Sequence, residues 1–287
     1  MSENIDFGTI VIVGVGLLGG SIGKALLLGN QARRIIGVGR SSERLTEAVR
    51  LGAITEFTTS LAEVAGIADI IVLCTPVSNI VRDLPDILRL AGSGTTVTDV
   101  GSVKSAITEA SAGDSRFVGG HPMAGSEQTG VVASRPDLFN DATWALTPLD
   151  ATEITHFNRV RDLAQQLGAA TIILSPKDHD QAVAVTSHLP HAIATSLMRL
   201  ADKNSETAPE IQRLTAGSFA DATRVAASSA SLWADIFRFN REAIIKALTD
   251  YRGEIDGFLN DLNEDNSDAL RERFASGSDA KHSWSKL

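Results

Sequence analysis

The sequence predicts an α/β domain built on a mostly parallel sheet, followed by an all-α domain. Short β-branched runs alternate with helix-like stretches through the first half, the pattern of strands joined by helices. A glycine motif, Gly14-Val15-Gly16-Leu17-Leu18-Gly19, lies between the first strand and the first helix. After Ser175-Pro176 the strand pattern stops and helical periodicity replaces it. A length of 287 residues suits two domains of roughly 150 residues each, expected here as 1–175 and 176–287.

Thr9 to Val13 reads as the first strand, and the glycine motif then opens a helix containing Ser21, Lys24 and Leu26 to Leu28. Gly14 suits a tight turn, Gly16 a close backbone approach to a pyrophosphate, and Gly19 close helix–strand packing. Leu17 and Leu18 occupy the helix start, whose free N–H groups suit phosphates. The context marks a Rossmann-type dinucleotide-binding domain. Arg34 to Gly39 is the second strand. NAD-preferring folds carry Asp or Glu at its end, for the ribose 2′-hydroxyl. This chain reads Gly39-Arg40-Ser41-Ser42, with no acid before Glu43. Gly39 leaves room for a 2′-phosphate, and Arg40, Ser41 and Ser42 offer donors to it, which favours NADP over NAD. The alternative is that Arg40 is a solvated loop residue and Ser41 or Ser42 caps the next helix.

Ile70 to Cys74 is continuously apolar, as a strand covered on both faces should be. Cys74 is expected to be a buried strand thiol rather than a nucleophile. Thr75-Pro76-Val77 follows that strand, and Val100-Gly101-Ser102-Val103-Lys104 follows the next, Thr95 to Asp99. Both segments belong at the carboxyl edge of the sheet, where open α/β folds hold ligands. Arg116 to Val118 reads as a further strand. After it, Gly120-His121-Pro122-Met123-Ala124-Gly125-Ser126-Glu127 reads as a turn-prone, flexible loop at the same edge. A neutral imidazole there is suited to accept a hydroxyl proton as hydride departs. Trp144 to Thr147 and Thr171 to Leu174 are later strands, with a helix at Glu153 to Leu167 between them.

From Asp178 to about Leu262 the chain is helical, with Leu232, Ile236, Phe239 and Ala243 at helical spacing. Pro190 should kink one of these helices. In Ser187-His188-Leu189-Pro190-His191 the two histidines share roughly one helical face. Substrate contact is the favoured reading. The pattern of two histidines four apart around a glutamate is absent, and no metal is expected. Asp221 and Arg224 lie one turn apart, and the Arg224 guanidinium suits a carboxylate. An ordinary surface pair is the alternative. Trp233 is expected to be partly core and to contribute to the substrate site. From about Asn263 the sequence is polar and aperiodic, apart from a short helix around Ala269 to Phe274, and reads as a frayed tail.

The net charge of −9 argues against nucleic acid or an anionic membrane surface as partner. The apolar run 9–29 is broken by six glycines and Lys24, which excludes a membrane span or signal sequence. A single cysteine precludes an internal disulfide and suits a reducing, cytoplasmic setting.

Taken together these motifs resemble the prephenate/arogenate dehydrogenase family of tyrosine biosynthesis. The resemblance runs to about Leu262 and rests on the glycine motif, Asp99 to Lys104, Gly120 to Glu127, Ser187 to His191, and Asp221-Ala222-Thr223-Arg224 followed by Trp233. It implies oxidative decarboxylation of a cyclohexadienol with hydride transfer to NAD(P). It also implies that His121 draws off the ring hydroxyl proton and that Ser102 helps orient that hydroxyl. By the same resemblance Arg224 grips a substrate carboxylate, His191 and Ser126 line the pocket, and Glu127 with Asp221 forms an ionic gate. The helical half would build a homodimer. The length leaves no room for a fused mutase or a regulatory domain, so a single activity is expected. His191, as a donor near a keto acid, leans towards prephenate over arogenate. Another NADP-dependent dehydrogenase or imine reductase of the same layout is the runner-up, and a non-catalytic NADP-sensing module is a third reading.

Overall fold

The computed structural model describes residues 5–124 and 128–284. The first half runs β1 (Thr9–Val13), α1 (Leu17–Leu28), β2 (Arg34–Val38), α2 (Ser42–Arg50), β3 (Glu56–Thr58), β4 (Ile70–Leu73), α3 (Val77–Leu90), β5 (Thr96–Asp99), α4 (Ser105–Ala110), β6 (Phe117–Pro122), β7 (Thr143–Thr147), α5 (Ile154–Gln166) and β8 (Ala170–Ile173). One sheet results, in the order β3-β2-β1-β4-β5-β6-β7-β8. Neighbours are parallel except β6 and β7. The strand order reverses between β1 and β4, so a crevice opens beyond their carboxyl ends, where the glycine motif and Thr75-Pro76 lie.

Successive residues of a strand point to opposite faces, and both faces here are apolar. Ile10 and Ile12 of β1 join a core that includes Ile22 and Leu26 of α1 and Leu163 of α5. Val11, between them, joins the other core, with Leu84 of α3 and Ile107 of α4. β4 splits in the same way, Ile70 and Val72 against Ile71 and Leu73. That two-sided burial is what its unbroken apolar run predicts.

Three differences from the sequence reading have physical causes. β3 is a three-residue edge strand with largely exposed residues, too short and too polar to show a period. β6 continues through Gly119, Gly120 and His121 to Pro122, so His121 sits on a strand, opposite Ala145, and not in a flexible loop. The two glycines that read as a turn serve close packing instead. A Cβ on Gly119 would lie 2.3 Å from the Thr147 hydroxyl, and one on Gly120 2.7 Å from the Asp99 carbonyl. Cys74 falls just beyond β4 and is only partly buried.

The helical half runs α6 (Pro176–Val183), a π turn (Ala184–His188), α7 (Leu189–Ser205), α8 (Glu210–Arg213), α9 (Gly217–Thr223), α10 (Ala230–Phe239), α11 (Arg241–Asn263) and α12 (Ser267–Trp284). Pro190 lies in the first turn of α7, and the ladder widens into the π turn just before it, as a missing N–H and a ring clash require. The chain divides into two compact units, Met1–Arg241 and Glu242–Leu287. Within the first, Ile236 of α10 joins the core on the α3 side of the sheet.

Within the second unit, the segment expected to be a frayed tail is the 18-residue helix α12. Asn266 caps it by accepting from the Ala269 N–H at 3.1 Å. Asp268 sits in its first turn and Lys281 and His282 in its last, which suits the helix dipole. Arg273 pairs with Asp261 and Glu254 and lies over the Phe258 ring, which meets Phe274 edge-on at 5.8 Å. The cap and the charge asymmetry were readable in the sequence, but the absence of an apolar period concealed them. Among the described residues no helix is long and apolar enough to cross a membrane.

Candidate active site

The crevice opens into a cavity of about 830 Å³. Leu17 and Leu18 of α1, then Thr75 and Pro76 beyond β4, line the cofactor side. Val100, Gly101 and Ser102 beyond β5 lead to His121 of β6. The helical half contributes Ser187, His188, His191, Arg224 and Trp233. Twelve residues expected from the sequence therefore meet at one site: Leu17, Leu18, Thr75, Pro76, Val100, Gly101, Ser102, His121, His188, His191, Arg224 and Trp233. Ser126 and Glu127 lie outside the described residues.

The glycine motif fits a dinucleotide. Gly14 has a φ of +96°, and a Cβ there would lie 2.9 Å from the Cys74 carbonyl, so the tight turn needs glycine. A Cβ on Gly19 would fall 2.4 Å from the Gly14 carbonyl, against Ile12 as well. Gly16 has open space in front of it, and no side chain caps α1. Its first-turn amides therefore remain available to a pyrophosphate. At the end of β2, a Cβ on Gly39 would meet only Leu45, at 3.5 Å. Arg40 and Ser42 are exposed. Ser41 caps α2 by accepting from the Arg44 N–H at 3.3 Å, and its hydroxyl hydrogen remains free to donate.

His121 is only 8% exposed. Burial holds it well below the ordinary histidine range, and the charges of His179, Lys104 and His188 act in the same direction. It is therefore a neutral imidazole near pH 7. Its Nδ1 lies 2.8 Å from Nε2 of His179, whose Nδ1 lies 2.9 Å from Oδ1 of Asp180. Asp180 also accepts from the backbone N–H groups of Lys104 and Ser105 at 2.7 and 2.8 Å. Burial opposes its ionisation, but His179 and these donors outweigh that, and its pKa is lowered.

The strand before His121 is held by a fully buried ion pair. Lys104 Nζ bonds Asp99 and donates to the Gly120 carbonyl at 2.7 Å, while Asp99 accepts from the Gly120 N–H at 3.1 Å. Burial pulls the Lys104 pKa down and Asp99 opposes it. Breaking a pair of this kind by removing one partner typically costs about 3–5 kcal/mol, so Gly120 and the residue after it are firmly placed. The sequence reading placed Asp99 and Lys104 in a motif without giving either a role, and it missed His179 and Asp180. The one available signal was an adjacent His-Asp pair where the helical half begins.

On the helical side, His191 stacks on Trp233 with ring centres 3.5 Å apart, and His188 meets Trp233 edge-on at 5.8 Å. The shared face expected from their spacing is thus built on one tryptophan. His188 is buried, with Asn240 3.1 Å from its Nδ1, and burial pushes its pKa down to about 4. His191 donates its Nδ1–H to the Ser187 carbonyl at 3.0 Å. Burial lowers its pKa, that bond partly offsets the effect, and the Arg224 charge lowers it further. Neutral His191 therefore offers Nε2 as an acceptor, which removes the donor argument for prephenate. Arg224 is exposed and lines the cavity. Asp221 is exposed and is not brought to the cavity. α9 ends at Thr223 and Arg224 starts a 3₁₀ turn, so the helical spacing that would pair it with Asp221 is broken. Among the described residues, no cluster of three His, Cys, Asp or Glu is arranged for a metal.

Residues 22–173 match the family model described as prephenate dehydrogenase, nucleotide-binding domain, and residues 175–276 the one described as prephenate dehydrogenase, dimerization domain. A prephenate dehydrogenase of Bacillus subtilis is 33% identical over 94% of this chain and 74% of its own. A crystal structure of prephenate dehydrogenase from A. aeolicus, in complex with hydroxyphenyl propionate and NAD+, superposes with a TM-score of 0.90 at 30% identity, covering 99% of each chain. The Synechocystis arogenate dehydrogenase structure gives 0.82 at 31% identity, over 96% of this chain and 99% of that one.

Proposed function

The chain belongs to the prephenate dehydrogenase family and is an NAD(P)-dependent oxidoreductase of the prephenate/arogenate type, and we propose a division of its chemistry among the residues described above. The substrate is a cyclohexadienol bearing a ring carboxylate, either prephenate or arogenate, and the cofactor when bound accepts a hydride from the carbon that carries the hydroxyl. His121 takes the hydroxyl proton as the carbonyl develops. Loss of the ring carboxylate as carbon dioxide then sends an electron pair through the ring to that oxygen, and His121 returns the proton to the new phenol. Nothing is released beyond carbon dioxide, the reduced cofactor and the aromatic product, so the proton is only lent to His121. Ser102 orients the hydroxyl, Arg224 grips a side-chain carboxylate, and His188, His191 and Trp233 form the wall around the side chain.

The observation that carries this reading is the meeting of His121, Ser102 and Arg224 in one cavity with the first turn of the glycine helix. Gly14, Gly16 and Gly19, with Leu17 and Leu18, would hold the pyrophosphate, and Thr75, Pro76, Val100 and Gly101 would flank the nicotinamide. The absence of an acid at the end of β2, together with Arg40, Ser41 and Ser42, supports NADP as the preferred cofactor. The helical region from 176 onward would supply the substrate wall and a homodimer interface. Exposed Ile245, Leu248, Ile255, Leu259 and Leu262 along α11 support the dimer. A cytoplasmic setting suits the single cysteine.

The test crosses prephenate and arogenate with NADP and NAD and follows absorbance of the reduced nicotinamide. Turnover with either substrate, fastest with NADP, is expected. Folded protein that binds NADP but turns over neither substrate would favour a reductase of similar layout.

A further inference from the structure

His121, His179 and Asp180 form a buried row that reaches from the cavity wall to the amino end of α4. The hydrogen-bond roles along it are fixed from one end. An ionised carboxylate only accepts, so Nδ1 of His179 carries the hydrogen that Asp180 receives. With that single ring hydrogen, His179 has a lone pair on Nε2 to which His121 donates its own Nδ1–H. That leaves the lone pair of His121 on Nε2, the nitrogen left to meet a substrate. We propose that His179 and Asp180 are positioning residues that hold His121 in the Nδ1–H tautomer and compensate the charge it carries while it holds the substrate's proton. This rests on the reading of His121 as the base.

The surroundings fit this role. The other charged or titratable groups facing His121 are Lys104, paired with Asp99, and His188. His179, Lys104 and His188 all disfavour an imidazolium at His121. Asp180, through His179, is the compensating anion on this row. It is also fixed, because the Lys104 and Ser105 amides hold both of its oxygens and Asn240 donates to its backbone carbonyl at 2.8 Å. The arrangement follows the logic of a carboxylate–histidine pair behind a nucleophile, with a second imidazole as spacer and with the reacting base at the far end.

The experiment combines two variants with one spectroscopic measurement. In Asp180→Asn the amide oxygen can still accept from His179 and from the Lys104 N–H, but the Ser105 N–H loses its acceptor and the compensating negative charge is gone. A fall in kcat of roughly 10²-fold or more, with KM changed by less than about 3-fold, is expected. His179→Gln keeps an acceptor for His121 but weakens the tie to Asp180. A smaller fall in kcat is expected, and only Asp180→Asn, which removes the compensating charge itself, moves the acid limb of the kcat profile to lower pH. A purely structural role would not move that limb. Nitrogen-15 NMR of the wild-type protein without cofactor should show His121 protonated on Nδ1 and bare on Nε2. The proposal is overturned if His121 carries its hydrogen on Nε2, or if both variants keep wild-type kcat and an unmoved acid limb. If Asp180→Asn does not fold, His179→Gln and the tautomer decide. If wild-type protein turns over neither substrate, the functional reading fails, independently of the tautomer.

Discussion

Replacing Gly39 with aspartate tests the cofactor reading where the structure makes the change sterically free. A Cβ there meets Leu45 at an ordinary 3.5 Å, and the residue is outside the left-handed backbone region. Any effect on specificity is therefore electrostatic. Two unit charges about 4 Å apart repel by about 1 kcal/mol in water and about 4 kcal/mol at an effective dielectric of about 20. The site is open to solvent, so about 2 kcal/mol is a fair middle value, or about 30-fold in affinity for a 2′-phosphate. The new carboxylate also accepts from the ribose 2′-hydroxyl of NAD, which adds about 1 kcal/mol in the opposite direction. The ratio of kcat/KM for NADP over NAD should fall by about 10²-fold, measured at saturating substrate and fixed ionic strength. A ratio unchanged within about 3-fold, in a variant of wild-type stability, would refute the reasoning.

Four further outcomes follow from the same geometry. His121→Asn should lower kcat by about 10²-fold or more with little change in KM, as loss of a base implies; near-wild-type turnover would remove it from the chemistry. Arg224→Ala should chiefly raise KM, and an unchanged KM would end its role as the carboxylate clamp. Folded His188 titrates at about 4 against 6.5 for an unperturbed histidine, so between those values the unfolded chain binds the extra proton. Its contribution is full above about pH 6.5 and is lost as pH falls towards about 4, by about 3 kcal/mol. Denaturant titrations of the cofactor-free protein across that window would show it, and flat stability would contradict the buried neutral ring. Finally, neutral His191 presents an acceptor, which suits a protonated amine better than a keto oxygen. The arogenate-to-prephenate ratio of kcat/KM should rise with pH as His191 deprotonates, and a His191→Phe variant should show no such rise.

The parts of this protein legible in its sequence are those governed by local rules. β1 came from its β-branched run, β4 from its unbroken apolar character, and the glycine helix from spacing alone. The cavity residues on strand ends were also legible, because topology sends those ends to one edge. What escaped was set by long-range contact. Gly119 and Gly120 look like a turn to any local rule, and only the nearness of Thr147 and Asp99 shows why they are glycines within a strand. His179 and Asp180 lie 58 and 59 residues after His121 in the sequence, and no period links them. The pairing of Lys104 with Asp99 spans five residues, but its burial depends on strands far apart in the chain. Asp221 is one turn from Arg224 by helical spacing, but α9 ends between them and Asp221 does not line the cavity.

Placing the histidine on a strand rather than in a loop also changes what kind of base it is. A loop histidine in water would titrate near about 6.5 and would need no assistance to hold a proton. His121 is buried, and its neighbours Lys104 and His188 further disfavour its charged form, so it is a weaker base than free imidazole. A weak base is a poor choice for a proton that must leave for solvent, but in the proposed reaction the proton returns to the phenol oxygen within the same turnover. What the reaction needs is a site that accepts the proton briefly, in a fixed direction, and does not trap it. On the proposed mechanism burial would prevent trapping, the buried clamp on Gly120 would fix direction, and the carboxylate of Asp180, one imidazole away, would keep the transient cation accessible. Removing the desolvation while keeping the row, as with a polar substitution that admits water beside His121, should therefore raise its pKa and slow return of the proton rather than its uptake.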